Sequence, residues 1–344
     1  MSAEGSPRVL VIRRDNIGDL VCTTPLIAAL RQRFPRGYIA ALVNSYNRDV
    51  LAGSPRLDAV FAYTKAKHRA EGETLVGAYA NRIRVFLALR RLRFDYAVLA
   101  VPHFQPHALR FARAAGARRF VGFVDDPGEA GIDLAVQYGA GGSLHEVEDV
   151  FRLGAPLGAV GDPPRAEVFA DAGSVARVRA ALTAMTAGPT IAVHISARKP
   201  SQRWAMENFA SAMRALHRQC RARFVLLWAP GDENNPRHPG DDGKVKELLA
   251  GLNGIPVLAW PTAQLSELIA ALAASDAVLC ADGGAMHLAA ALGKPIACLF
   301  GDSSPARWRP WGVPHEVLQA PSRNVADVPA GEAVAAVRRL LATA

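Results

Sequence analysis

Cysteine is sparse: Cys22, Cys220, Cys280 and Cys298 are the four in 344 residues, and no two stand in Cys-x-x-Cys spacing. A disulfide-stapled scaffold and a cysteine zinc site are thereby excluded, and a reduced, cytoplasmic protein is expected. Long apolar runs are also missing. Nothing approaches the roughly 20 residues that cross a bilayer. Residues 1–8 are polar and the next run, Val9–Ile12, is too short for a secretory segment, so any membrane contact should be peripheral. No Asp-x-Asp triad and no histidine cluster at ligand spacing occurs, so no metal and no other cofactor is expected. Aromatics make up only 7% of the chain and do not interleave with its basic residues, which disfavours a nucleic-acid-binding module.

Positive charge, by contrast, is in surplus: 40 Lys and Arg against 31 Asp and Glu give a net charge of +9, which favours anionic partners. The most informative stretch is Ala274–Trp311. Ala277–Ala281 reads as a buried parallel strand, Asp282-Gly283-Gly284 as a turn, Ala285–Leu292 as a helix closed by Gly293 and Pro295, and Ile296–Phe300 as a second strand. Glycines at such a turn let backbone N–H groups approach a ligand, and the positive end of the helix faces the same place, which suits a phosphate or diphosphate. A plain structural turn would carry the same signature. His287 falls on the first helical turn beside it.

The rest of the chain alternates in the same way. Arg8–Ile12 is a strand, Arg13–Asp19 a loop and Leu20–Phe34 a helix. Strands follow near Ile39–Val43, Ala59–Tyr63, Tyr96–Ala100 and Arg119–Phe123, with helices over Tyr79–Leu92, Pro106–Ala115 and His145–Leu153. Gly158–Arg165, with Pro163-Pro164, is the expected boundary, placing domains at 1–160 and 161–344. The second half restarts with strand Thr190–His194, a basic loop Ile195–Arg203, helix Ala205–Cys220, strand Arg223–Trp228, a long polar loop Pro230–Gly243, helix Leu265–Ala274 and a terminal helix Gly331–Leu341. The pattern predicts an α/β fold of two doubly wound parallel sheets with a cleft between them.

The wording Asp282-Gly283-Gly284-Ala285-Met286-His287, continued by Leu299-Phe300-Gly301 and Trp308-Arg309-Pro310, resembles the donor-site signature of the ADP-heptose:lipopolysaccharide heptosyltransferase family. The opening strand and its Ile17-Gly18-Asp19 turn resemble the same family. The resemblance implies a GT-B fold, with two Rossmann-like domains facing a central cleft and a last helix that can pack back on the first domain. It further implies an inverting glycosyl transfer from an ADP-sugar to a lipopolysaccharide core or related glycan at the inner face of the inner membrane. Asp19 would then be the general base, with Asp15 its rival; without the resemblance, a helix cap would be the preferred reading of Asp19.

On the donor side the resemblance assigns Asp282 to sugar hydroxyls, the amides of Gly283, Gly284 and Ala285 to the diphosphate, and His287 to orienting either group. Glu233 would hold the ribose and Thr262 would face the nucleotide. Ser196, Lys199 and Arg203 lie in the loop that carries a phosphate-binding residue in the family. Two departures stand out. Gly283 replaces the usual Thr or Ser, and Gln202 occupies the position of a basic residue two before Trp204, so Lys199 or Arg203 would have to substitute. On the acceptor side, Arg13, Asp15, Asn16, Gly18, Lys65, Lys67, Arg69 and Arg110 belong to the half that receives an anionic, lipid-linked sugar acid, and bidentate arginine contacts suit such groups. A nucleotide-dependent oxidoreductase is the competing enzyme class, but the loop after Ile12 lacks Gly-x-Gly-x-x-Gly.

Overall fold

A computed structural model describes residues 6–63, 75–126, 131–140, 142–235 and 239–343. The chain divides into two compact units, Met1–Phe169 and Ala170–Ala344. The first continues past the Gly/Pro-rich stretch at 158–165 because Glu167 is tied back into it. The Glu167 carboxylate takes two 3.0 Å hydrogen bonds from the Arg56 guanidinium, and its amide donates to Thr24 Oγ1 at 3.0 Å.

In the first unit the order is β1 (Arg8–Ile12), α1 (Ile17–Arg33), β2 (Tyr38–Asn44), β3 (Ala59–Tyr63), α2 (Leu75–Leu92), β4 (Tyr96–Leu99), α3 (Pro106–Ala114), β5 (Arg119–Val124), β6 (Leu134–Gln137) and α4 (Glu146–Phe151). Its sheet runs β3-β2-β1-β4-β5-β6, every pair parallel. Parallel strands are covered on both faces, so their sequences are nearly continuous apolar runs. In β1, Leu10 and Ile12 pack with Leu89 of α2 and with Ala108 and Leu109 of α3, while α1 pairs with α4. Pro25 lies inside α1 and cannot donate to the Val21 carbonyl, but Thr24 Oγ1 does so at 2.7 Å, and the helix continues.

The second unit holds α5 (Ala172–Thr183), β7 (Thr190–His194), α6 (Met206–Cys220), β8 (Arg223–Trp228), α7 (Asp242–Ala250), β9 (Val257–Pro261), α8 (Leu265–Ala273), β10 (Ala277–Ala281), α9 (Gly284–Ala291), β11 (Ile296–Phe300), α10 (Pro305–Trp308), β12 (His315–Gln319) and α11 (Ala330–Thr343). Its sheet order is β12-β11-β10-β7-β8-β9, again all parallel. Counted from its own first strand, that is the order of the first sheet. Both units are therefore Rossmann-like, each with a switch point beside its first strand: between β1 and β4, and between β7 and β10. Helices α6, α7 and α11 cover one face through a core that includes Phe209, Phe224, Leu248 and Val337. The terminal helix α11 packs on α6 and on β10, β11 and β12 of its own unit.

Some elements of the structure are not among those expected from the sequence. Strands β6, β9 and β12 lie at sheet edges and are only half-buried. Helices α5 and α7 also escaped, the latter starting at Asp242 inside what reads as a polar loop.

Candidate active site

In doubly wound sheets, ligands bind beyond the carboxyl ends of the strands at the switch point. Each unit gathers its polar side chains there. In the first unit the loop Arg13–Asn16 leaves β1, and its carbonyls are held from the end of β2. Asn44 Nδ2 donates to Arg14 O, and Asn47 Nδ2 donates to Asp15 O at 3.2 Å. Arg13 is only 1% exposed. Its Nη1 donates to Ala100 O at 2.7 Å, just past β4, so the guanidinium spans the switch point. Its Nη2 lies 2.8 Å from Glu146 Oε1 and 3.1 Å from Asp19 Oδ1, and its Nε lies 3.3 Å from Asp15 Oδ2.

Burial alone would lower the Arg13 pKa, but the charges of Glu146, Asp19 and Asp15 outweigh it and leave the pKa raised. Arg13 was expected to face an anionic acceptor; buried, with Nη1 and Nη2 hydrogen-bonded internally and Nε left without a hydrogen bond, it instead holds carboxylates in place. Asp19, at the third position of α1, also accepts from Asn16 N and Asn16 Nδ2 on Oδ2, both at 2.9 Å. The helix-cap reading of Asp19 is therefore realised. A carboxylate offers about four acceptor positions. One ion pair on Oδ1 and two bonds on Oδ2 leave Oδ1 able to accept from a hydroxyl, and Asp19 is 12% exposed. Gly18 is buried, Asn16 is exposed and Asp15 is 33% exposed. Arg110 is exposed on α3. Lys65, Lys67 and Arg69 lie outside the described residues.

In the second unit, β10 ends at Ala281 and Asp282 follows, its N–H committed to Leu299 O at 2.9 Å. Asp282 Oδ2 accepts from Gln202 Nε2 at 3.0 Å, across the switch point from the loop after β7, and from Ser303 Oγ beyond β11. Burial pushes the Asp282 carboxyl above the usual carboxylate range, against the Ser303 hydrogen bond, the Lys199 charge and the Gln202 amide. Gly283 sits at φ 156°, ψ −166°, a region that is essentially glycine's alone, and this turn opens α9. The first bond of α9 runs from His287 N to Gly283 O at 3.3 Å, so the amides of Gly284 and Ala285 precede it at the positive end of the helix.

His287 is buried, its ring edge-to-face with Trp308 at 6.0 Å. Gly301 is fixed by close approach: a Cβ there would lie 2.4 Å from Ser201 O. Trp204 Nε1 donates to Val328 O at 2.9 Å and anchors the loop before α6.

The remaining expected donor residues are distributed less simply. Lys199 pairs with Asp302 at 3.5 Å. Arg203 turns its guanidinium back on its own loop, with Nε to Ala197 O and Nη2 to Arg198 O, both at 3.3 Å. Ser196 Oγ donates to Asp241 and accepts from Ala229 N at 2.9 Å, fastening β7's loop to β8's. Thr262 spends both N–H and Oγ1–H on Trp228 O, at 3.0 and 2.8 Å. Glu233 stands exposed in the loop after β8.

Three participants were missed in the sequence: Glu146, Ser303 and Asp241. None has a local signature, because each meets its partner across tens of residues. Among the described residues no group of three His, Cys, Asp or Glu side chains is arranged to hold a metal ion, and no helix is long and apolar enough to cross a membrane.

Two Rossmann-like units, each with its polar cluster at the switch point, are the architecture of the GT-B fold class. More narrowly, the pattern of glycosyltransferase family 9 (heptosyltransferase) matches residues 82–334, and the chain belongs to that family. It is similar to lipopolysaccharide heptosyltransferase 3 of Escherichia coli, 24% identical over 351 residues that span 94% of this chain and 96% of the relative. Among solved structures, the glycosyl transferase family 9 protein of Veillonella parvula superposes with a TM-score of 0.83 at 17% identity, covering 98% of both chains. The ADP-heptose lps heptosyltransferase II of E. coli superposes with a TM-score of 0.77 at 20% identity, over 98% of this chain and 99% of that one.

Proposed function

We propose that this chain transfers a heptose-type sugar from an ADP-sugar to a hydroxyl of a lipopolysaccharide core or related glycan, with inversion and with Asp19 as general base. The observation that carries the reading is the Asp19 carboxylate, oriented by buried Arg13 and by Asn16 with one acceptor position left on Oδ1. In the reaction the acceptor O–H gives its proton to Asp19 while its oxygen attacks the anomeric carbon. The bond from that carbon to the diphosphate oxygen breaks, and ADP leaves with the electron pair. The amides of Gly284 and Ala285 and the N-terminal end of α9 offset the charge that develops on the diphosphate, a role that backbone dipoles fill without an added ion. No cofactor or metal is assigned to this step. Asp282 would accept hydrogen bonds from the sugar hydroxyls. The lipid-linked acceptor would bring the enzyme to the inner face of the inner membrane.

The E. coli relatives are described as acting in lipopolysaccharide heptose transfer, one with ADP-heptose, and this supports the choice of donor and acceptor. Gln202 in place of a basic residue favours a second reading, a family member that uses another nucleotide sugar or glycosylates a secondary metabolite or a protein. Calorimetry against ADP, UDP and GDP, paired with transfer assays on Asp19→Ala, tests both. ADP should bind best, and Asp19→Ala should lose about 10²–10⁴-fold in kcat with nucleotide affinity nearly intact. An active Asp19→Ala enzyme removes the catalytic assignment; preference for UDP or GDP selects the second reading.

A further inference from the structure

Helix α2 presents an outward face that packing leaves uncovered. Ile83 is 61% exposed and Leu87 is 54% exposed, one turn apart. Arg84, Arg90 and Arg91 are exposed on the same face, while Val85, Phe86 and Leu89 on the opposite side join the core of the first unit. No acidic residue occurs in α2 or in α3 beside it, and α3 adds exposed Arg110 and Arg113. Between the two helices lies a hollow of about 210 Å³ lined by Arg82, Phe86, His107, Arg110, Phe111 and Ala114, with the Arg82 guanidinium 4.8 Å from the Phe111 ring centre.

Among the described residues the other exposed large apolar side chains are Tyr46, whose hydroxyl donates to Asp15 O, and Val160.

We infer that this face of α2, with the hollow beside α3, docks on an anionic phospholipid bilayer. Two apolar side chains flanked by exposed arginines combine insertion at the headgroup level with attraction to negative lipid, and stable peripheral binding takes two such signals. A second copy of this chain is a poor occupant, since two faces of the same positive charge repel. Nucleic acid is a poor one as well, because Ile83 and Leu87 would be set against phosphates. The hollow, flanked by Arg82 and Arg110, receives a lipid phosphate. The inference deepens the transferase reading, in which the acceptor is lipid-linked, but vesicles free of saccharide test it separately.

The test is co-sedimentation of the full chain with phosphatidylglycerol–phosphatidylethanolamine vesicles and with phosphatidylcholine vesicles, alongside binding to duplex DNA and sedimentation velocity. Wild type should partition to the anionic vesicles and be released by salt. Arg84→Gln/Arg90→Gln/Arg91→Gln should weaken partitioning roughly 100-fold, and Ile83→Gln/Leu87→Gln about ten-fold or more. Ile83→Trp should strengthen it, with a blue-shifted emission on adding vesicles. Unchanged melting temperatures show that the variants fold, as expected for exposed positions. Equal binding to both vesicle types, insensitivity to these substitutions, tighter binding to DNA than to vesicles, or a dimer abolished by Ile83→Gln/Leu87→Gln would each overturn the inference. Should vesicle binding hold while no sugar transfer is found, only the transferase reading fails.

Discussion

Arg13 Nη2 and Glu146 Oε1 stand 2.8 Å apart with both side chains 1% exposed, joining the first loop of the chain to a helix 133 residues later. The same nitrogen holds Asp19, so the buried pair fixes the carboxylate proposed as base. Removing one partner strands a buried charge, which typically costs about 3–5 kcal/mol, whereas replacing both with apolar residues can be close to neutral. Arg13→Met and Glu146→Gln should therefore each lower the urea midpoint, while Arg13→Met/Glu146→Leu recovers much of the loss. Activity should not recover with it, because Asp19 has still lost its partner and small displacements of a catalytic group cost up to about 100-fold. A stable, fully active double variant would show that the pair serves folding alone.

Gly283 supplies the second prediction. A Cβ there would meet nothing within 4 Å, so room is not the constraint. The backbone is: at φ 156°, ψ −166° an L residue is strained by about 1–3 kcal/mol. Gly283→Thr restores the residue usual in the family, yet it should lower stability by that order in thermal melts unless the turn rearranges. A variant as stable as wild type, with tighter ADP binding, would mean that the turn readily takes the other geometry and gains a hydroxyl donor.

The central elements and the glycine turn were legible because their signals are local. Val9–Ile12, Ile191–Val193, Val278–Cys280 and Ala297–Phe300 are apolar runs that only buried parallel strands require, and Asp282-Gly283-Gly284 breaks one of them where a helix must start. The edge strands Leu134–Gln137 and Val257–Pro261 open on apolar runs as long as Ile191–Val193 but are only half-buried, and they were not expected. The relations at the site were the least legible. Arg13 read as an acceptor-binding cation because nothing near it in sequence announces Glu146, and the turn of Arg203 back onto Ala197 and Arg198 depends on loop geometry that no local pattern carries. Charge is visible in a sequence; what neutralises it is decided by contacts between distant segments.

Gln202 donates to Asp282 at 3.0 Å, where a longer cation would bring its charge. Gln202→Lys should place an ammonium beside Asp282 and near the start of α9, where it can meet a diphosphate. ADP affinity is expected to rise about five- to tenfold at low ionic strength and to become more salt-dependent. Calorimetry at two salt concentrations checks this. Unchanged affinity would indicate that the lysine pairs internally with Asp282 and leaves the nucleotide unaffected.

The last prediction concerns His194, the final residue of β7, in register with Cys280 of β10 and Leu227 of β8. Burial pushes its pKa down to about 4 from the ordinary 6.5, and the charge of Asp241 opposes this only in part. Below pH 6.5 the unfolded chain gains a proton that the folded chain refuses until about pH 4, so stability should fall as pH drops through that window. Asp282 acts in the opposite sense. Its pKa is raised by burial, so the stability it contributes is present in acid and lost as pH rises through and above the ordinary carboxylate range. Urea midpoints of wild type and His194→Gln, compared above and within the histidine window, separate the two. The substitution should flatten the decline between pH 6.5 and 4, while Asp282→Asn should raise the midpoint near neutrality and converge on wild type in acid. A decline that persists undiminished in His194→Gln would assign the acid sensitivity to carboxylate pairs such as Glu316 with Arg339, whose pKa the Arg339 hydrogen bond holds low.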